Sequence, residues 1–193
     1  IQSVGKVCDS KFNPLKVDES LIDSLNKQSF PVIDPSSEPK MREYIENARM
    51  SQDSTGGVIE CVATGVPAGI GSPMFGGVEN LISSIMFGIP AVKGIEFGAG
   101  FAITEMLGSQ ANDQYAYDEN GKVVTLSNNN GGITGGITNG MPILFRIAVK
   151  PTPSISKPQQ TVDLTKHENT ELVIHGRHDP CIVVRAVPVI ENA

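Results

Sequence analysis

The sequence predicts an α+β or sandwich arrangement. Apolar alternation marks several strands, apolar residues at helical spacing mark several helices, and the two kinds alternate irregularly, without the βαβ rhythm of a Rossmann sheet. With 193 residues, 39% hydrophobic and 19% charged, the chain suits one soluble domain. A chain of that length buries roughly 70% of its unfolded surface.

Asp18 stands as an N-cap before ESLIDSLNK, where Leu21, Ile22 and Leu25 share helical spacing, so a short helix opens there. The proline-spaced FPVIDPSSEP leads to a second helix, KMREYIENARM, with Met41, Tyr44, Ile45 and Ala48 on one face. Charge covers the rest of it, the pattern of a surface helix. GVIECVATGV alternates as a strand, VENLISSIMFG is an apolar helix stopped by Gly88, and AVKGIEFG returns as a strand. Asn120-Gly121, between QYAYDE and KVVTLS, predicts a hairpin with a type I′ turn. PILFRIAVK is a strand, KPTPSISKPQQ a proline-punctuated connection, and ELVIHG a further strand. The last segment, DPCIVVRAVPVIENA, begins as a helix with Asp179 at the N-cap and Pro180 in the first helical position. Pro188 opposes its continuation by about 3 kcal/mol.

Charge and cysteine usage narrow the function. A net charge of −6 argues against a nucleic-acid partner, which requires a basic footprint. Residues 1–127 carry 9 basic against 16 acidic side chains and residues 128–193 carry 6 against 5, so an anionic ligand belongs with the second segment. No apolar run approaches the roughly 20 residues that span a bilayer, and the first residues do not begin a signal peptide. Cys8, Cys61 and Cys181 are odd in number and far apart, with no CxxC pair, which predicts free thiols and a cytoplasmic setting. The chain opens without an initiator Met, which predicts a piece of something longer.

Eighteen of the 20 glycines lie between Gly56 and Gly140, and GGITGGITNG, residues 131–140, is half glycine. Each glycine in regular structure costs roughly 0.5–1 kcal/mol relative to alanine, so the stretch needs a compensating role. It is no phosphate loop, because GxxxxGK[ST] is absent, and Gly98-Ala99-Gly100 leads to Ile103 where a dinucleotide fingerprint needs its third glycine. His167, His175 and His178 have spacings that match no zinc pattern, and no metal is expected. In Arg177-His178-Asp179-Pro180 an extended chain places a guanidinium and a carboxylate side by side, either as a ligand clamp or as an ion pair capping a helix. Lys150, Pro151, Thr152, Pro153 and Ser154 leave a strand with charged and hydroxyl donors on two fixed φ angles, which suits a flat polar cofactor or an ordinary strand exit.

GVPAGIGSPMF, IPAVKGIEFG, GSQANDQ, NNGGITGGITNGMPI, VKPTPSI and HGRHDPCIVVRAVPVIE occur in this order, and together they closely resemble chorismate synthase, from about Gly56 to Ala193. Residues 1–55 resemble the variable linking helices and loops of that family, and 56–193 its flavin- and substrate-binding core portion, within a single domain. The resemblance implies a β-α-β sandwich, here incomplete, in a homotetramer that binds reduced FMN and 5-enolpyruvylshikimate-3-phosphate. It implies an anti-1,4-elimination of phosphate that gives chorismate in the shikimate pathway, with NADPH a candidate reductant. Carried over by motif, Pro90 and Ala91 border the flavin, where some members have Asn-Ala. Gly135 contacts the flavin, and Lys150, Pro151, Thr152, Pro153 and Ser154 form the cofactor-binding turn. Arg177 contacts phosphate or substrate, and Asp179 is the acid near the flavin ring. The family's amino-terminal GESHG-like and Arg-x-Ser-Ala/Gly-Arg segments are absent, and its last helix runs beyond Ala193. The resemblance therefore implies a portion carrying half a site. Two other readings are a catalytically silent core or assembly module and a general flavoprotein oxidoreductase.

Overall fold

The alternation in PILFRIAVK builds the centre of the molecule. The computed structural model describes residues 1–176 and 178–193. In chain order the elements are β1 (Ser3–Val4), β2 (Val7–Cys8), α1 (Glu19–Asn26), α2 (Ser37–Met50), β3 (Gly57–Ala63), α3 (Val78–Gly88), β4 (Val92–Phe97) and α4 (Gly108–Ala111). They continue with β5 (Tyr115–Tyr117), β6 (Val123–Thr125), β7 (Ile133–Thr134), β8 (Ile137–Thr138), β9 (Ile143–Val149), β10 (Gln159–Asp163), β11 (Glu168–Leu172) and α5 (Val183–Glu191). The main sheet has the order β2-β1-β3-β9-β4 with every pair antiparallel. Helices and an antiparallel sheet in irregular succession make the α+β fold that the sequence predicts.

Alternate residues of β9, namely Ile143, Phe145, Ile147 and Val149, are buried on one face with Ile59 of β3. Met41 of α2, Met86 of α3 and Val183 and Ile190 of α5 join the same cluster, so these helices form a layer on that face. In α2, Met41 is fully buried and Tyr44 and Ile45 are partly buried while its charged residues face out, as its spacing requires.

The opposite face carries a charged row, because register sets Glu60, Arg146 and Glu96 side by side across β3, β9 and β4. Arg146 Nη2 meets Glu96 Oε1 at 3.0 Å and donates to the Gly98 and Ala99 carbonyls. Glu60 Oε2 accepts the Phe12 N–H at 2.9 Å. Burial pushes the Glu60 carboxyl above its ordinary range, against the opposing pull of the Phe12 N–H and Arg146. A raised carboxyl stabilises the fold fully only below its unfolded pKa, and that contribution is lost as pH rises through the folded value. Glu60→Gln keeps an acceptor for Phe12 and removes the buried charge. Its Tm advantage over the wild type is therefore expected to grow between about pH 4 and 7. Parallel melting curves for the two proteins across that window would contradict this.

Several elements differ from expectation. The turn after QYAYDE is not a type I′ turn. Asp118 N donates to Lys122 O, the Asp118 carboxylate accepts from the Asn120 and Lys122 amides, and only Gly121, at φ 75°, is left-handed. The aspartate thus imposes a three-residue loop closed by a glycine in place of the two-residue turn. The last helix does not start at Asp179. Pro180 O accepts the Thr55 N–H at 2.8 Å and Cys181 is buried, so this stretch is tied to the sheet and α5 begins at Val183. Pro188 sits inside α5, which continues to Glu191. The strand expected at ELVIHG lies earlier, as β11, and pairs with β10, which begins in the last two residues of the stretch expected to be a connection. No helix among the described residues is long and apolar enough to cross a membrane.

Candidate functional site

Register brings the first two predicted segments together. Val92 opposes Val149, and one step further the Lys150 N–H donates to the Ala91 carbonyl at 2.9 Å. Pro90 and Ala91 therefore lie beside the turn of Lys150, Pro151, Thr152, Pro153 and Ser154. Ala91 takes a left-handed backbone, φ 73°, which costs a non-glycine residue about 1–3 kcal/mol. Strain of that kind persists only where neighbours fix it, and here the Lys150 hydrogen bond does so. The segment before β3 completes the rim: Ser54 Oγ donates to Thr152 O at 2.6 Å, and Thr55 N donates to Pro180 O at 2.8 Å. These bonds draw Asp179 to the same end of the sheet. Lys157 Nζ, 2.7 Å from Asp53 Oδ2, ties the outgoing chain to the same segment.

Two polar atoms at this rim lack partners. Thr152 Oγ1 and Asp179 Oδ2 are buried and meet no hydrogen-bond partner among the described residues. Asp179 Oδ1 accepts the Cys181 N–H at 3.2 Å. Oδ2 lies 3.2 Å from Arg185 Nε, an ion-pair distance whose angle makes no hydrogen bond. Buried hydroxyl and carboxylate oxygens without hydrogen-bond partners are costly, which makes this rim the candidate site for a polar ligand.

Gly135 lies elsewhere. It forms with Gly136 the tip of the β7–β8 hairpin, both with positive φ as in a type I′ turn. Gly136 O accepts the Val78 N–H at the start of α3, and Gly131 O accepts the Leu144 N–H near the start of β9. The hairpin is thus rooted at the end of β9 opposite Lys150, about 20 Å along the strand. The glycine density has an internal cause. A β-carbon on Gly131, Gly132 or Gly136 would overlap the protein's own main chain, whereas one on Gly135 would meet nothing within 4 Å. Arg177 lies outside the described residues.

Two clefts, of about 490 and 570 Å³, lie on the molecule, the first among α1, α5 and β3, the second over Glu60, Arg146 and Glu96. Neither is lined by the residues of the rim or by Gly135. The candidate site lies at one end of the sheet, outside both clefts.

Sequence reasoning missed Asp113 and Asn128. The Asp113 carboxylate accepts from Ser127 Oγ at 2.6 Å, Asn129 N at 2.7 Å, Asn130 N at 2.9 Å and Asn130 Nδ2 at 2.8 Å. Asn128, 4% exposed, donates from Nδ2 to Pro14 O and Pro142 O and accepts the Gly132 N–H. Asp113 stands in the GSQANDQ motif, which gave it no role, and Asn128 falls immediately before the NNGG motif and so outside any motif read.

An antiparallel sheet with helices on one face and a candidate ligand rim at one sheet end defines the class, an α+β protein. Comparison with known proteins gives the family: the chorismate synthase profile matches residues 1–193, and the chain belongs to that family. It is 49% identical over 173 residues to the chorismate synthase of Methanosarcina mazei, covering 90% of this chain and 47% of that one. It is 54% identical over 153 residues to the chorismate synthase of Pyrococcus abyssi, covering 79% and 43%. A crystal structure of a chorismate synthase superposes with a TM-score of 0.67 at 33% identity, covering 79% of this chain and 48% of that one. The chain spans about half the length of the curated relatives it matches.

Proposed function

We propose that this chain forms the cofactor- and substrate-facing part of a chorismate synthase, a lyase that eliminates phosphate from 5-enolpyruvylshikimate-3-phosphate in an anti-1,4 sense to give chorismate, with reduced FMN bound. The convergence of Ala91, Thr152 and Asp179 on one rim, with Thr152 Oγ1 and Asp179 Oδ2 both buried and without a hydrogen-bond partner among the described residues, is the observation that carries the reading.

The residues present fit such a ligand. Lys150 supplies a cation for phosphate, and Thr152 Oγ1 and Ser154 supply hydroxyls on a turn stiffened by Pro151 and Pro153. Pro90 has no N–H and the Ala91 carbonyl already accepts from Lys150, so this segment contributes packing against a flat ring. Reduced FMN, when bound, supplies transient electron donation and is restored in each cycle. Asp179 holds or releases a proton at Oδ2 beside it. Arg177, by its place in the RHDP motif alone, is assigned to phosphate or substrate. The same reading carries a cytoplasmic setting, a homo-oligomer, and NADPH or an outside reductase as the source of electrons.

Anaerobic assay of the chain with reduced FMN and 5-enolpyruvylshikimate-3-phosphate tests this, and release of inorganic phosphate is the expected result. A chain that folds and binds FMN yet releases none is instead a core or assembly module. Consumption of NADPH in proportion to turnover would make it an oxidoreductase.

A further inference from the structure

We infer that Asp113 is a positioning residue that fixes the pose of the glycine hairpin bearing Gly135. Its functional meaning rests on the reading of Gly135 as a flavin contact; the clamp itself rests on geometry alone.

Asp113 spends both carboxylate oxygens on three of the four residues that precede the glycines, Ser127, Asn129 and Asn130. Oδ1 takes Ser127 Oγ and the Asn129 N–H, and Oδ2 takes the Asn130 N–H and Asn130 Nδ2. Four donors use nearly the whole acceptor capacity of an ionised carboxylate, a capacity that a neutral amide of the same shape lacks. Burial pushes the Asp113 carboxyl up, but the hydrogen bonds from Ser127, Asn130 and Asn129 outweigh it and hold the group below its ordinary range.

Fixing residues 127, 129 and 130 also fixes Asn128 between them. Its side chain spans the base of the hairpin, accepting Gly132 N–H at 2.6 Å on the incoming strand and donating to Pro142 O at 2.9 Å on the outgoing one. Main-chain bonds from Gly131 N to Asn128 O and from Ile133 N to Asn130 O continue the same path. Ile133, 2% exposed, then anchors β7 in the core, and the Thr134–Ile137 pair carries the Gly135-Gly136 turn beyond it. Asp113 and Gly135 are thus joined through a short series of hydrogen bonds, although 22 positions separate them in sequence.

Hydrogen exchange of Asp113→Asn measures the clamp without any ligand. The amides of Gly131, Gly132 and Ile133 are expected to exchange roughly tenfold faster or more, while those of β9 keep the wild-type rate. After correction for intrinsic rates, the wild type acquires the same pattern as pH falls through the Asp113 titration, and the variant does not. A fluorescence titration with FMN is expected to show a dissociation constant raised roughly tenfold or more in the variant. Unchanged exchange at the three amides overturns the inference, as does equal acceleration in β9, which would make Asp113 a general stabiliser. Faster exchange with unaltered FMN affinity overturns the link to the ligand. A wild-type chain that binds no FMN refutes the flavin reading, and the exchange data still decide the clamp. Should Asp113→Asn not fold, Asn130→Ala removes one of the four donors, and a smaller acceleration at the same amides is expected.

Discussion

Replacement of Asp179 by Asn is expected to slow phosphate release on the order of 10²-fold or more, the usual contribution of a positioned acid or base. The geometry separates this effect from stability. Asp179 Oδ1 accepts the Cys181 N–H, and the amide oxygen of Asn reproduces that bond. Only Oδ2 changes, and its charged neighbour among the described residues, Arg185 Nε at 3.2 Å, belongs to a side chain that is 80% exposed. An ion pair with so exposed a partner contributes about 1 kcal/mol or less, so the melting temperature should move by only a few degrees. Arg185→Ala provides the control, because it removes the ion pair and keeps the carboxylate. Its rate should stay near that of the wild type. Undiminished turnover in Asp179→Asn would remove this residue from the catalytic set, and equal loss in both variants would assign the effect to the ion pair.

Gly131→Ala should destabilise the fold far more than Gly135→Ala, although the two glycines have nearly the same backbone angles, φ 64° and 62°. Both substitutions incur the strain of a left-handed alanine, about 1 kcal/mol at the low end. At Gly131 the new β-carbon would also fall 2.5 Å from Gly98 N and 2.6 Å from Leu144 O, atoms of the main chain that cannot swing aside. Overpacking against backbone adds a few kcal/mol, for a total of about 3 kcal/mol and a fall in Tm of roughly 10 °C. Gly135→Ala places its β-carbon in open space, so its Tm should fall by roughly 3 °C. Thermal unfolding followed by circular dichroism distinguishes them. Similar shifts would mean that the hairpin base yields more easily than its contacts with Gly98 and Leu144 imply.

That contrast shows what the sequence makes legible and what it leaves out. The strands at 57–63, 92–97 and 143–149 and the helices at 19–26, 37–50 and 78–88 follow from apolar periodicity, because each turns apolar side chains inward, half-buried in the first helix and buried in the others, and periodicity records that burial. The β10–β11 pair escaped because β11 is exposed along its whole length and β10 nearly so, leaving no apolar alternation to read. The glycine-rich stretch was legible as special but not as to why: adjacent glycines look alike in sequence, yet Gly131 is enclosed by main chain and Gly135 faces solvent. At the site, motifs supplied Ala91, Thr152 and Asp179 one by one. Their meeting depends on the Val92–Val149 register and on Ser54 and Thr55, ordinary residues whose hydrogen bonds no motif marks. Asp113 was illegible for the same reason, since its four donors lie 14 to 17 positions away and share no pattern with it.

The β10–β11 hairpin leaves the body of the protein after the turn at 150–154 and returns just before Asp179, and its two arms pair chiefly with each other. At its root Ser156 Oγ donates to Ile174 O at 3.2 Å, so departing and returning chain are already pinned together. The excursion is topologically dispensable. Halving a loop alters its closure entropy by only about 0.6 kcal/mol, so a short linker across that pinned root can stand in for the whole arm. The tip, equally, offers a place where a reporter domain can be grafted without passing through the core.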